Sequence, residues 1–86
     1  MKIDIEINGS GLTDDQAQYI KKEIEYGVKQ NKENIKIPVK NLKVGLFFDP
    51  ILKSLSGLVL NEDDDEVMSI KGEFSQSGRK YTYTPI

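Results

Sequence analysis

Cysteine and histidine are both absent from this 86-residue sequence, and each absence excludes several kinds of chemistry. Without cysteine the chain forms no disulfide, no thiolate metal site and no cysteine nucleophile. Without histidine it lacks the commonest general base, the commonest transition-metal ligand and the usual sensor of neutral pH. Arginine occurs once, as Arg79, so the side chain that reads bases and phosphates best is scarce.

Sequence motifs for catalysis are also missing. The chain has no glycine-rich phosphate loop, no nucleophile elbow and no serine–lysine signature. A carboxylate pair such as Asp49 and Glu73 would act as acid and base only if the fold brought both into one cleft. We therefore expect a protein that is not an enzyme and that uses no cofactor.

Long hydrophobic runs are missing as well. The richest one, residues 42–60, is interrupted by Lys43, Asp49, Pro50 and Lys53, and each charge is costly in a bilayer. The N-terminus begins directly with "MKIDIEI", in which charges alternate with apolar residues. We therefore expect no signal peptide, no membrane span and a cytoplasmic location.

What the sequence does contain is typical of one small globular domain over residues 1–86. Apolar residues make up 37% and charged residues 30% of the chain, and both values favour a folded core over disorder. The N-terminal alternation of Ile3, Ile5 and Ile7 with charged residues predicts a strand with one buried face.

A helix is predicted next, from Asp14 to about Asn31. Thr13 and Gln16 have the spacing of a capping box at its start. An apolar stripe at helical spacing indicates the face that packs on a sheet, and it consists of Ala17, Ile20, Ile24 and Val28. Gly27 costs the helix about 1 kcal/mol relative to alanine, so we expect a close approach to the sheet there.

The middle of the chain changes phase. Ile35, Ile37 and Val39 alternate in one phase and residues 42–48 in the other, so a turn or bulge is expected near residues 40–41. Pro38 leaves two alternatives for residues 35–39, an edge strand or an extended lead-in.

After residue 48 the sequence predicts a short helical turn and then three strands. Pro50 favours the first position of a helical turn that runs to Ser56 and ends at Gly57. The strands are expected at 58–60, 66–74 and 80–84, with turns at 61–65 and 75–78. The predicted fold is therefore α+β, with one amphipathic helix packed on a mainly antiparallel sheet of about five strands. Its order is strand, helix, strand, short helical turn and three strands.

The most unusual segment is a run of five consecutive carboxylates, Glu62, Asp63, Asp64, Asp65 and Glu66. It does not fit a helix–loop calcium site, because the sixth residue from Asn61 is Glu66 rather than glycine and the twelfth is Gly72. We expect no specific metal site. Two interpretations remain, a solvated hairpin turn and a docking surface for a basic partner.

The charge distribution favours an interaction function. Residues 1–15 and residues 61–86 each carry a net charge of −3, whereas residues 16–60 carry +4, which together give the total of −2. We expect a non-enzymatic interaction module, an inhibitor or adaptor, that docks through its acidic turn on a basic surface of another protein. The sequence does not indicate the oligomeric state.

The alternative is a single-stranded nucleic-acid-binding domain. It would neutralise phosphates with lysines of the middle segment and stack bases on two tyrosines. Its residues would be Lys29, Lys32, Lys36, Lys40, Lys43, Tyr81 and Tyr83. The pI of about 5.1 and the acidic residues among these lysines make nucleic acid the less favoured partner. Two tyrosines spaced two apart on one strand are more often half-buried sheet residues than stacking platforms.

Overall fold

The computed structural model describes residues 2–35 and 40–86, and it contains one α-helix and five strands in these two ranges. The elements are β1 (Lys2–Gly9), α1 (Asp14–Asn31), a 3₁₀ helix (Lys32–Asn34), β2 (Asn41–Asp49), β3 (Ser54–Leu60), β4 (Glu66–Ser75) and β5 (Gly78–Pro85). The predicted α+β class is confirmed, with one helix on a mostly antiparallel five-stranded sheet.

The strands lie in the sheet in chain order, from β1 at one edge to β5 at the other. β1 and β2 are parallel, while β2 to β5 form antiparallel neighbours. This pattern follows from the connections, because parallel neighbours need a long crossover, which α1 supplies, and antiparallel neighbours need only a turn. No helix in the described ranges combines the length and hydropathy needed to cross a membrane.

The core lies between α1 and one face of the sheet. The helix contributes Ile20, Ile24 and Val28, all of them buried. The buried sheet residues are Leu42, Val44, Leu46, Phe48, Leu55, Val59, Val67, Met68 and Ile70. Each fully buried aliphatic side chain stabilises the fold by about 1.5–3 kcal/mol relative to an exposed one, so the predicted apolar stripe holds the helix on the sheet.

The start of α1 is the predicted capping box. The Thr13 hydroxyl accepts a hydrogen bond from the Gln16 N–H at 3.2 Å, and the Gln16 side chain accepts one from the Thr13 N–H at 2.9 Å. These bonds satisfy donors that have no partner within the helix. The helix then runs from Asp14 to Asn31, the bounds that the sequence predicted.

The helical turn predicted from Pro50 to Ser56 needs correction. Residues 50–53 form a hairpin turn, and β3 begins already at Ser54. The Asp49 carboxylate accepts hydrogen bonds from the N–H groups of Ile51 at 2.9 Å and Leu52 at 3.1 Å, and these bonds close a tight turn instead of a helix. Gly57, expected to end the helical turn, lies within β3, where the Leu46 side chain occupies the space next to its Cα.

The phase change between residues 35 and 42 is visible only in part. Ile35 is half-buried after the 3₁₀ helix, and β2 begins at Asn41. Residues 36–39, which include Ile37, Pro38 and Val39, lie outside the described residues, and so does the choice between an edge strand and a lead-in.

Candidate interaction site at the acidic turn

The acidic turn, residues 61–66, joins β3 to β4 at one end of the sheet. β3 ends at Leu60 and β4 begins at Glu66, so the run lies in the predicted hairpin connection. All five carboxylate residues, Glu62, Asp63, Asp64, Asp65 and Glu66, are exposed. The structure therefore groups the residues that the sequence selected on one projecting turn.

Asn61 organises this turn. It is the buried polar residue of the described core, at 4% exposure, and its side-chain oxygen accepts hydrogen bonds from the N–H groups of Asp63 and Asp65, both at 2.9 Å. Its backbone N–H donates to the carbonyl of Asp65, and its carbonyl accepts from the N–H of Asp64, both at 3.0 Å. Asp64 has a φ of +63°, a left-handed conformation that aspartate tolerates better than most residues. The turn is thus ordered by its own first residue.

Glu62 connects the turn to the start of β2. Its carboxylate accepts long hydrogen bonds from the N–H groups of Lys40 at 3.3 Å and Asn41 at 3.5 Å. The pKa of Glu62 is lowered from its usual 4.5, first by a hydrogen bond from its own backbone N–H and then by those from Lys40 and Asn41. This carboxylate therefore stays ionised and helps to hold the acidic turn on the sheet.

Asp64 makes a second connection to β2. Its carboxylate lies 2.9 Å from the Lys43 ammonium in an exposed ion pair. The pKa of Lys43 is raised above 10.5, chiefly by the hydrogen bond to Asp64. Because both groups are in water, the pair contributes little to stability; its effect is to orient the turn.

The remaining three acids face solvent with few internal contacts. Asp65 approaches the Asn61 side-chain nitrogen only at 3.5 Å, and within residues 2–35 and 40–86 the side chains of Asp63 and Glu66 make no hydrogen bond or ion pair. The turn therefore presents Asp63, Asp65 and Glu66 outward. The sequence identified all five acids, but it did not show which of them are held and which face outward, because Glu62 and Asp64 are held by residues about twenty positions away.

The sequence raised two other uses of carboxylates, a metal site and an acid–base pair. In the part of the chain that the structure describes, no three Asp or Glu side chains are grouped closely enough to hold a metal ion. Asp49 and Glu73 lie in one row across the sheet, two strands apart with Ser54 of β3 between them. Asp49 is instead occupied by the turn that follows β2.

The residues of the nucleic-acid alternative do not form one surface. Tyr81 and Tyr83 are half-buried on the side of the sheet that α1 covers. Lys43 alternates with the buried residues of β2 and points to the opposite side. Lys36 lies outside the described residues. The two tyrosine rings are therefore packed against the helix rather than placed beside Lys43 as stacking platforms.

The lysines nearest to the helix end are exposed but scattered. Lys32 belongs to the 3₁₀ helix and Lys40 precedes β2. Lys29, near the end of α1, lies 3.6 Å from the carboxylate of Glu25 one turn earlier. Such local compensation weakens a positive surface.

A polar cluster that the sequence did not reveal joins α1 to β5. The Glu23 carboxylate accepts hydrogen bonds at 2.7 Å from both the Arg79 guanidinium and the Tyr81 hydroxyl. The guanidinium also stacks over the ring of Tyr19, 4.6 Å from its centroid. The pKa of Tyr81 is raised far above its usual 10.0, first by burial and then by the bond to Glu23. The 58-residue separation of Glu23 and Tyr81 explains why no local pattern signalled this cluster.

A cleft of about 670 Å³ lies beside the N-terminal half of α1. Its apolar lining includes Phe48 and Phe74, and its charged lining includes Asp15, Lys53 and Arg79. Because charges of both signs face this space, it indicates no particular class of ligand. Comparisons of the chain with protein-family models, curated proteins and solved structures found no significant match.

Proposed function

We propose that this protein is a non-enzymatic interaction module, an inhibitor or adaptor, that docks on a basic surface of another protein through its acidic turn. The observation that carries the proposal is the buried Asn61, whose hydrogen bonds order the turn before any partner binds. This order stabilises the fold, and it also favours docking, because less conformational entropy is lost when a partner binds an ordered turn.

The division of the five acids supports the same function. Glu62 and Asp64 connect the turn to β2, while Asp63, Asp65 and Glu66 project from the end of the sheet. Opposite charges on a protruding surface accelerate encounter with a basic partner and select against acidic ones. We therefore assign docking to these three outer carboxylates and positioning to the other two.

The test compares two variants that remove the same amount of charge. The docking variant carries Asp63→Asn, Asp65→Asn and Glu66→Gln. The matched control carries Asp4→Asn, Glu25→Gln and Glu33→Gln, at exposed or half-exposed positions on β1, α1 and the 3₁₀ helix. Proteins captured from the native cell by the parent and the control, but not by the docking variant, are the candidate partners.

Surface plasmon resonance against a captured partner then gives the deciding measurement. We expect the docking variant to associate about tenfold more slowly at low salt and to show a flatter salt dependence, since charge acts mainly on encounter. The control should keep the parent's kinetics. Equal loss in both variants would mean that only net charge matters, and unchanged kinetics in the docking variant would refute the assignment.

A further inference from the structure

The sheet has a second face, opposite α1, that no helix or strand covers within the described residues; we call it the open face. Strand register sets two middle rows of residues across it. One row contains Glu6, Gly45, Leu58, Ser69 and Thr84, and the next contains Asn8, Phe47, Ser56, Lys71 and Thr82. The part of these rows on β2 and β3 is uncharged, and charged residues surround it: Glu6 on β1, Lys71 on β4, and Lys43 and Asp49 at the two ends of β2. A nearly neutral centre with a charged rim is typical of a protein interface.

Phe47 and Gly45, two residues apart on β2, give this face its shape. Phe47 is 55% exposed and Leu58, one row away on β3, is 40% exposed. A side chain at Gly45 would meet no atom within 4 Å, so an open space lies beside the phenyl ring, two residues along the same strand. A bulky ring and an open space on one face are complementary features of one surface.

We propose that the open face binds a second copy of this chain, with the Phe47 ring of each copy over Gly45 of the other. The two-fold axis lies in the plane between the two faces, runs perpendicular to the strands and crosses β2 between positions 45 and 47. Rotation about it exchanges the two copies, so the contact of Phe47 with Gly45 forms twice. Aromatic rings placed over strand glycines cover backbone that the glycine leaves exposed. The shape of the face therefore selects its own copy as the occupant.

The charges of β2 fit the same axis. It sets Lys43 of each copy, which also pairs with Asp64 of its own copy, opposite Asp49 of the other, so opposite charges meet at both ends of the contact. On β3 it sets Leu58 against Ser56. On β4 it sets Glu66 opposite Glu73, a like-charge pair, so the contact is centred on β2 and β3 rather than on the far strands.

This association is distinct from docking through the acidic turn. The axis places the two acidic turns at opposite ends of the pair, each beside the open space at Gly45 of its own copy. A partner that displays two basic surfaces would then gain from binding both turns at once. Asp64 and Glu66 line the open space beside Gly45, so loss of the dimer is separated from loss of docking by Phe47→Thr, which leaves that space unchanged.

The deciding variant is Gly45→Thr. Its side chain fills the open space that the proposal assigns to Phe47, but it meets no atom of its own copy within 4 Å at the Cβ. Because threonine favours strands and glycine weakens them, the fold should be as stable as the parent or more stable. Sedimentation equilibrium should show the parent rising from 9.7 kDa toward twice this mass with concentration, while Gly45→Thr raises the dimer Kd at least about tenfold.

Two further variants complete the experiment. Phe47→Thr needs no new space and should weaken the dimer equally. Leu52→Ser removes an apolar side chain that is 74% exposed in the turn after β2, and it should leave the dimer unchanged. A parent that stays at 9.7 kDa up to about 1 mM, the concentration of very weak association, overturns the proposal. A dimer that persists in both Gly45→Thr and Phe47→Thr overturns it as well.

Discussion

The ring of Tyr83 occupies the space in which a side chain at Gly27 would stand. Gly27 lies in the second half of α1, and Tyr83 lies on β5, the edge strand of the sheet. Without a Cβ at position 27, the helix approaches this strand closely, and the tyrosine ring packs half-buried against it. Gly27 lowers the intrinsic stability of the helix, but it permits the helix to pack closely on β5.

Gly27→Ala is therefore expected to destabilise the protein, although alanine is the better helix former. The substitution gains about 1 kcal/mol of helix propensity, whereas forcing a methyl group into an occupied site costs about 1–3 kcal/mol. Urea unfolding should show a net loss in the free energy of unfolding.

The control for this prediction is the same substitution in a Tyr83→Val background. With the ring removed, Gly27→Ala should stabilise by about 1 kcal/mol, because only the propensity term remains. If Gly27→Ala stabilises the parent to the same extent, the tyrosine does not restrict this position.

The raised pKa of the Tyr81 hydroxyl predicts that the protein loses stability in alkaline solution. Burial and the bond to Glu23 raise the pKa of Tyr81 above its usual 10.0, so the folded state holds this proton more tightly than the unfolded state. The stabilisation is therefore fully present below about pH 10 and decreases as the pH rises toward the raised pKa. Burial raises the pKa of Tyr83 in the same direction, so both tyrosines contribute.

Tyr81→Phe tests this contribution. It removes the hydrogen bond to Glu23 and should lower the free energy of unfolding near neutral pH by about 1 kcal/mol. It should also reduce, without abolishing, the decrease in stability that begins above about pH 10. Tyr26→Phe, at a ring that is 67% exposed, is the matched control and should change neither quantity. The same alkaline decrease in Tyr81→Phe and the parent would contradict the prediction.

Asn61→Ala should destabilise the fold and loosen the acidic turn. The side chain accepts two hydrogen bonds of 2.9 Å from a buried position, and their loss should cost about 1–3 kcal/mol. Asn34→Ala is the control, because the side chain of Asn34 is exposed and donates one long bond of 3.4 Å; we expect a change within about 0.5 kcal/mol. Thermal unfolding compares the two, and faster amide exchange of residues 63–65 in Asn61→Ala would report the loosened turn.

Nucleic acids should not bind at physiological salt. Lys43 lies on the opposite side of the sheet from the half-buried Tyr81 and Tyr83, and the groove beside these tyrosines is not lined by Lys29, Lys32 or Lys40. Fluorescence anisotropy with labelled single-stranded and duplex oligonucleotides is the measurement. Micromolar binding that collapses as the salt concentration rises would restore the nucleic-acid interpretation, since phosphate contacts release counterions.

Much of the fold was predictable from patterns among residues that are close in sequence. The alternation of Ile3, Ile5 and Ile7, the capping box and the stripe on α1 each depend on residues a few positions apart, so their periods are readable from the chain. The turn after Asp49 was not readable in the same way. Pro50 fits both the first position of a helix and a tight turn, and the carboxylate bonds to Ile51 and Leu52 decided for the turn.

The sequence by itself determined the strand and helix periods, the position of the five acids and the absence of cysteine and histidine chemistry. The tertiary structure decided which acids are held and which project, because Glu62 and Asp64 meet β2 only after the sheet has formed. It also decided that Glu23 binds Tyr81 and that Gly27 admits Tyr83. These contacts join residues that are far apart in sequence, and no local period encodes the distance between a helix and an edge strand.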